Sequence, residues 1–147
     1  MKLTTKGHYA VKALLDLSLQ PNFKPTSVNA IALRQDLPAP YLEKILIKIR
    51  QAGLINSVRG SQGGYQLAYQ THEISLGQIL EAVGENLESI PLEINQQTTS
   101  ADWVTVALWR KLNQKIKQAI YSITLADLYY DARSRQASQG EENNFIV

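Results

Sequence analysis

The sequence predicts a mainly α fold with one small β-ribbon. Three observations carry this. Apolar residues recur at helical spacing through most of the chain. One segment, Leu54–Ala68, breaks that period: two short strand-like runs flank Gly60-Ser-Gln-Gly63-Gly64. A second, longer helical pattern starts near Ser100, after a segment with no clean period. A chain of 147 residues suits one compact domain with an appendage and is long enough to bury a core.

Thr4 and Thr5 are candidate caps for a first helix running to about Leu19, with Val11, Leu14, Leu15 and Leu17 on its buried stripe and Lys6, Lys12 and Asp16 largely off it. Pro21 and Pro25 end that element. Ser27 caps a short second helix whose Val28, Ile31, Ala32 and Leu33 point inward. Asp36 suits a left-handed turn, Leu37 packs between helices, and Pro38 and Pro40 open the next one. That third helix, about Ala39–Ala52, buries Leu42, Ile45, Leu46 and Ile49 and turns Tyr41, Lys44, Lys48 and Gln51 outward, with Glu43 and Arg50 beyond them. Ile47 falls on the outward side. Gly53 ends the helix, and strands Leu54–Arg59 and Tyr65–Tyr69 form a hairpin with a flexible glycine-rich tip. Helix, tight turn, helix and ribbon together make a winged helix-turn-helix. An ordinary solvated helix would show the same polar face on residues 39–52.

Ser75-Leu-Gly-Gln78 opens a fourth helix as a capping box, with Leu76, Ile79, Leu80 and Val83 inward. Glu85–Ser100 reads as a loop, suited to a sensor or partner surface. Ser100 or Asp102 then caps a long helix to about Ser122, along which Val104, Ala107, Leu108, Leu112, Ile116, Ala119, Ile120 and Ile123 extend over five or more turns. A helix of about 20 residues spans about 30 Å, more than the preceding domain needs. Pairing with a second copy is the simplest use, through Val104, Leu108, Leu112, Ile116 and Ile120, and packing within one chain is the alternative. Thr124-Leu-Ala-Asp127 begins a final short helix, and from about Ser134 the chain reads as a polar tail. The expected division is residues 1–84 for the winged helix-turn-helix domain, 85–101 for the loop, 102–133 for the pairing helix and final helix, and 134–147 for the tail.

Net charge is only +2, but its distribution is uneven. Residues 1–70 hold nine Lys/Arg against three acids, and residues 71–147 hold six against ten. A basic front and an acidic back point to a polyanion, here double-stranded DNA. The Gly60–Gly64 loop returns into a strand and lacks the Lys-Ser/Thr of a nucleotide cradle, which argues against nucleotide binding. The absence of cysteine excludes disulfides and thiolate metal sites. His8 and His72 have no patterned acid or nucleophile beside them, and no serine sits in a nucleophile elbow, so no enzyme reading has residues to carry it. With no apolar run near 20 residues and no signal-peptide block, the expected setting is cytoplasmic, without membrane.

The segments Leu3–Ala10, Ile31-Ala32, Pro40–Leu46, Gln51–Leu54, Ser57-Val-Arg-Gly-Ser-Gln-Gly-Gly-Tyr-Gln-Leu67, Ile74–Ile79, Ala107-Leu-Trp-Arg110 and Ile123–Leu128 resemble the Rrf-two family of bacterial winged-helix transcription regulators. The likeness covers about residues 1–130, and the Val-Arg-Gly…Gly-Gly-Tyr wing is its most specific mark. The resemblance implies a homodimer on a pseudo-palindromic operator, with helix 39–52 in the major groove and the wing at the minor groove. By position it implies DNA contacts at Thr5, Tyr9, Ala39, Pro40, Tyr41, Lys44 and the wing residues Arg59, Gly60, Ser61 and Gln62. The charge pattern adds Lys48 and Arg50. Many relatives hold an iron–sulfur cluster through three loop cysteines and a further ligand, which in the iron–sulfur cluster regulator is a His just before Ala-Leu-Trp. Here that position is Val106 and the chain has no cysteine. The expectation is a regulator with no cofactor, answering to a small molecule, a partner protein or no effector. A winged-helix module for protein interaction, and a regulator holding a metal through carboxylates and His, are the rival readings.

Overall fold

A computed structural model describes residues 3–86 and 99–145, with side chains to residue 140. Helix α1 (Thr5–Ser18) is followed by a 3-10 turn at Pro21–Phe23, α2 (Val28–Gln35), α3 (Ala39–Gln51), strands β1 (Ile55–Val58) and β2 (Gly64–Leu67), a 3-10 turn at Thr71–Glu73, α4 (Leu76–Ala82), α5 (Ser100–Ser122) and α6 (Leu125–Phe145). The expected loop between α4 and α5 falls mostly on residues 87–98, outside the described residues.

The α2–α3 turn forms as its residues dictate. The Ser27 side chain accepts a hydrogen bond from the Ala30 amide at 3.1 Å, and Asp36 takes the left-handed conformation at φ 53°. The Leu37 amide then reaches the Ala32 carbonyl at 2.9 Å, and the Leu37 side chain is buried between the helices. At the end of α3, Gly53 (φ 83°) donates to Arg50 and Leu54 donates to Ile49, the paired bonds of a Schellman ending. The three-residue link Ala52-Gly53-Leu54 passes α3 into β1 with no slack. Leu42, Ile45, Leu46 and Ile49 are at most 2% exposed and face Ala10, Ala13, Leu14 and Leu17 of α1. Alanines at 10 and 13, beyond the expected stripe, let α1 approach closely. Leu33, expected inward, is 85% exposed, because α2 turns only Ile31 and Ala32 fully into the core.

The wing pairs antiparallel in the register Ile55↔Leu67, Asn56↔Gln66, Ser57↔Tyr65 and Val58↔Gly64. It also has a third edge. Thr26, just before the Ser27 cap, exchanges two 2.8 Å backbone hydrogen bonds with Tyr65. A Cβ on Gly64 would lie 2.3 Å from the Thr26 carbonyl, and one on Gly63 would lie 2.1 Å from the Val58 carbonyl oxygen. These glycines therefore admit close backbone contact at the base of the wing, rather than only loosening its tip.

Three more elements depart from the sequence pattern. Asp16 is buried, not off the stripe: the Arg34 guanidinium grips it through 2.8 and 2.9 Å bonds and Gln35 donates at 2.9 Å. Thr99 caps α5, with Asp102 as its reciprocal partner at the third helical position. Helix α6 continues to Phe145 in place of a short helix and polar tail. Its residues beyond 133 lack an apolar stripe but include Arg, Gln, Ala and Glu, which are good helix formers, and no proline. Its first residue, Leu125, is fully buried in the same core as α1 and α3, so α5 runs from its exposed N-terminal half toward that core.

Candidate nucleic-acid interface

The three segments expected to touch DNA are α1's first turns, α3 and the wing. Thr5 is exposed and Tyr9 is half-buried. Tyr9 meets Tyr41 of α3 edge to face, with ring centroids 5.8 Å apart and planes at 77°. Tyr41 is 39% exposed, so the pair holds one ring against the head and leaves part of the other to solvent. Ala39 is half-buried in α3's first turn, while Pro40, Lys44, Lys48 and Arg50 are exposed. At 100° per residue Arg50 lies about 120° around the helix from Lys44, on its flank rather than its front. Ile47, outward on the helical wheel, is half-buried. Arg59, Gly60, Ser61 and Gln62 are all exposed at the wing tip.

Not every cation of the basic front is available. Arg34 is spent on Asp16, whose carboxylate raises the guanidinium's pKa through hydrogen bonding and charge against the opposing effect of burial. The Lys12 ammonium donates to the Gln35 carbonyl at 2.7 Å. Both tie the end of α2 to α1. This leaves Lys24, Lys44, Lys48, Arg50 and Arg59 as exposed cations between residues 20 and 60.

Pattern reading missed Glu85. The Thr4 side chain forms no cap on α1. Instead the Glu85 carboxylate, beyond α4, accepts from the amides of Thr4 at 3.2 Å and Gly7 at 3.1 Å and from the Thr4 hydroxyl. It thus supplies acceptors and negative charge at a helix N-terminus. Burial pushes the Glu85 pKa up, but the hydrogen bonds from Thr4 and Gly7, with the charge of Lys6, outweigh it and hold the carboxyl below its ordinary value. Gly7 has no room for more: an added Cβ would meet Leu3, Leu80 and Glu85 at 2.8–3.1 Å. No local motif announces a cap that lies 81 residues from the threonine it binds.

The residues expected to pair two copies divide. Val104, Leu108 and Leu112 are 70, 53 and 42% exposed, and Ile116 is half-buried. Ile120 is only 5% exposed within the single chain. His8 and His72 are exposed and separate, the latter in the 3-10 turn.

A helix-turn-helix with a hydrogen-bonded wing and a projecting helix defines the class of winged-helix transcription regulators. Residues 3–131 match the Rrf2 family, described as an iron-dependent transcriptional regulator. The chain belongs to that family. An HTH-type transcriptional regulator of Synechocystis is 63% identical over the whole of both chains. The regulator IscR of Vibrio campbellii is 35% identical across all of this chain and 88% of its own. Among solved structures, T. potens IscR superimposes with TM-score 0.75 at 40% identity, over 92% of this chain and 91% of that one. CymR, the global cysteine regulator of B. subtilis, gives TM-score 0.76 at 31% identity, over 88% and 97%. These are regulators and not enzymes, in agreement with the lack of a catalytic constellation in the sequence.

The family's description names iron, but the donor set here does not fit an iron–sulfur cluster. Such clusters are held mostly by thiolates, and this chain has no cysteine. Val106, at the position of the expected histidine, offers no donor atom. Among the described residues no three His, Asp or Glu side chains gather as a metal site. No helix among them is long and apolar enough to cross a membrane.

Proposed function

We propose that this chain regulates transcription as a homodimer on a pseudo-palindromic operator, without an iron–sulfur cluster. The observation that carries the reading is the exposed apolar stripe Val104–Leu108–Leu112 on a helix that leaves the DNA-reading head. Fully burying an exposed Val or Leu side chain is worth about 1.5–3 kcal/mol, and these three, 42–70% exposed, would gain about half of that each under a second α5. Two heads would then face one duplex, as half-sites related by two-fold symmetry require. Helix α3 reads the major groove with Ala39, Pro40, Tyr41 and Lys44, and the wing brings Arg59 to Gln62 to the minor groove. Thr5 and Tyr9 support α3 beside the backbone, and Lys48 and Arg50 add phosphate contacts.

The test is binding to the chain's own promoter region across a salt series, with mass measured by sedimentation. A dimer whose affinity falls steeply with salt is expected. A folded monomer, or a dimer that binds no promoter DNA at low salt, ends this reading. Arg59→Ala separates the wing from the helix: a loss of about 1–3 kcal/mol in operator binding is expected, and unchanged affinity and sequence preference would remove the wing from the interface.

A further inference from the structure

Among the described residues, and besides the burial of Ile120, helix α5 meets the head through two contacts of different kinds. Its end is sewn by backbone: the Leu76 amide donates to the Ile123 carbonyl and the Leu125 amide to the Ile74 carbonyl, both at 2.8 Å, around a Ser75↔Thr124 bridge. One turn earlier, the ring of Tyr121 lies on the backbone of α4 at Gly77. A Cβ on Gly77 would sit 2.6 Å from Cγ and Cδ2 of that ring. The Tyr121 hydroxyl then donates to Glu81, four residues along α4, at 2.5 Å. Gly77 is buried although its helix position needs no special backbone conformation. What requires a glycine there is the ring.

A backbone bridge alone fixes where α5 starts from the head. A second contact along the helix fixes the direction in which it points. The lever is long, since the 17 residues from Val104 to Tyr121 span about 25 Å. A tilt of about 10° at Tyr121 moves Val104 by about 4 Å, more than the 3.4 Å rise of one base pair.

We propose that Gly77 and Tyr121 set the angle between the α5 stalk and the DNA-reading head, and so select the half-site spacing of the operator. The inference deepens the homodimer reading above and rests on it. Both are positioning residues. They act through the placement of the two heads, and neither belongs to the expected DNA contacts. Changing the spacing by one base pair also rotates a half-site by about 34°, so a rigid dimer discriminates strongly and a loosened one does not.

The experiment starts from duplexes that the wild-type chain selects from a random library. The selected palindrome is resynthesised with its half-sites moved by one or two base pairs in each direction. Affinities are measured for wild type, Gly77→Ala, Tyr121→Leu and Tyr121→Phe, each with its sedimentation mass and circular dichroism. Wild type is expected to lose about tenfold or more for a one-base-pair change. Gly77→Ala displaces the ring and is expected to shift or flatten that profile while remaining a dimer. Tyr121→Leu removes the ring without crowding α4, and tests the same contact if Gly77→Ala does not fold. Tyr121→Phe keeps the ring on Gly77 and should keep the wild-type optimum. Folded dimers of Gly77→Ala and Tyr121→Leu with the wild-type spacing profile overturn the inference. A wild-type chain that selects no palindrome or sediments as a monomer overturns the homodimer reading instead, and this inference with it.

Discussion

Helices α3 and α5 carry apolar stripes of similar period, and their fates differ. On α3, Leu42, Ile45, Leu46 and Ile49 close against α1 and leave the polar face free. On α5, Ile120 is closed by the head, but the stripe opens to solvent toward Leu112, Leu108 and Val104. The reading head is therefore complete within one chain, and the stalk is complete only near its attachment. Periodicity is the same signal in both places. What differs is whether the chain supplies the opposing surface.

The largest expected effect tests the open half. In Leu108→Asp combined with Leu112→Asp, paired stalks would face charge against charge. The variant should sediment as a monomer, and its affinity for a two-half-site duplex should fall by about 100-fold or more as the second head ceases to be held nearby. Its circular dichroism should show an intact head. If the double variant still dimerises, the stalk is not the pairing surface and the contrast between α3 and α5 collapses.

The next effect tests the closed half. Arg34→Ala leaves the buried Asp16 carboxylate with only its glutamine donors. Removing one partner of a fully buried ion pair costs about 3 kcal/mol or more, and because Arg34 is 41% exposed and solvent-screened the cost here is about half that. Thermal unfolding should fall by about 3–6 °C, with the oligomeric state unchanged when measured well below the melting point. A change under about 1 °C would show that the Arg34–Asp16 pair adds little to holding α2 against α1.

The smallest effect lies where α4 ends and α1 begins. Because hydrogen bonds depress the folded pKa of Glu85, its contribution to stability is fully present above the unfolded carboxyl value of about 4.3. That contribution is lost as pH falls through the lower folded value. Glu85→Gln should melt a few degrees below wild type at pH 7, and the gap should close as pH drops below about 4. A gap independent of pH would mean that the carboxylate charge contributes nothing to capping α1.

Local chemistry was legible where it is complete within a few residues. The Ser27 and Ser75 caps, the left-handed turn at Asp36, the Gly53 ending and the apolar face of α3 each follow from nearest-neighbour rules, and all are present. The wing's glycines were legible as a hairpin, but their reason was not. Gly64 answers to Thr26, which lies far away in sequence. The partition of α6 was misread because amphipathicity marks only helices that pack, and beyond residue 133 α6 is exposed wherever its side chains are described. The DNA-contact residues were placed through family likeness, with charge adding Lys48 and Arg50. The structure shows which of the front's cations are already committed.

By itself, the sequence determined the helix-turn-helix, the wing, the family and the absence of thiolate ligands, since each depends on residue type at short spacing or on composition. The tertiary structure alone decided that Asp16 takes Arg34, that Glu85 caps α1, that Thr26 extends the wing and that Tyr121 rests on Gly77. Each of these joins groups 18 or more residues apart. Their hydrogen bonds and contacts exist only once the core around Leu14, Ile45 and Leu125 has brought the elements together, so no local pattern carries them.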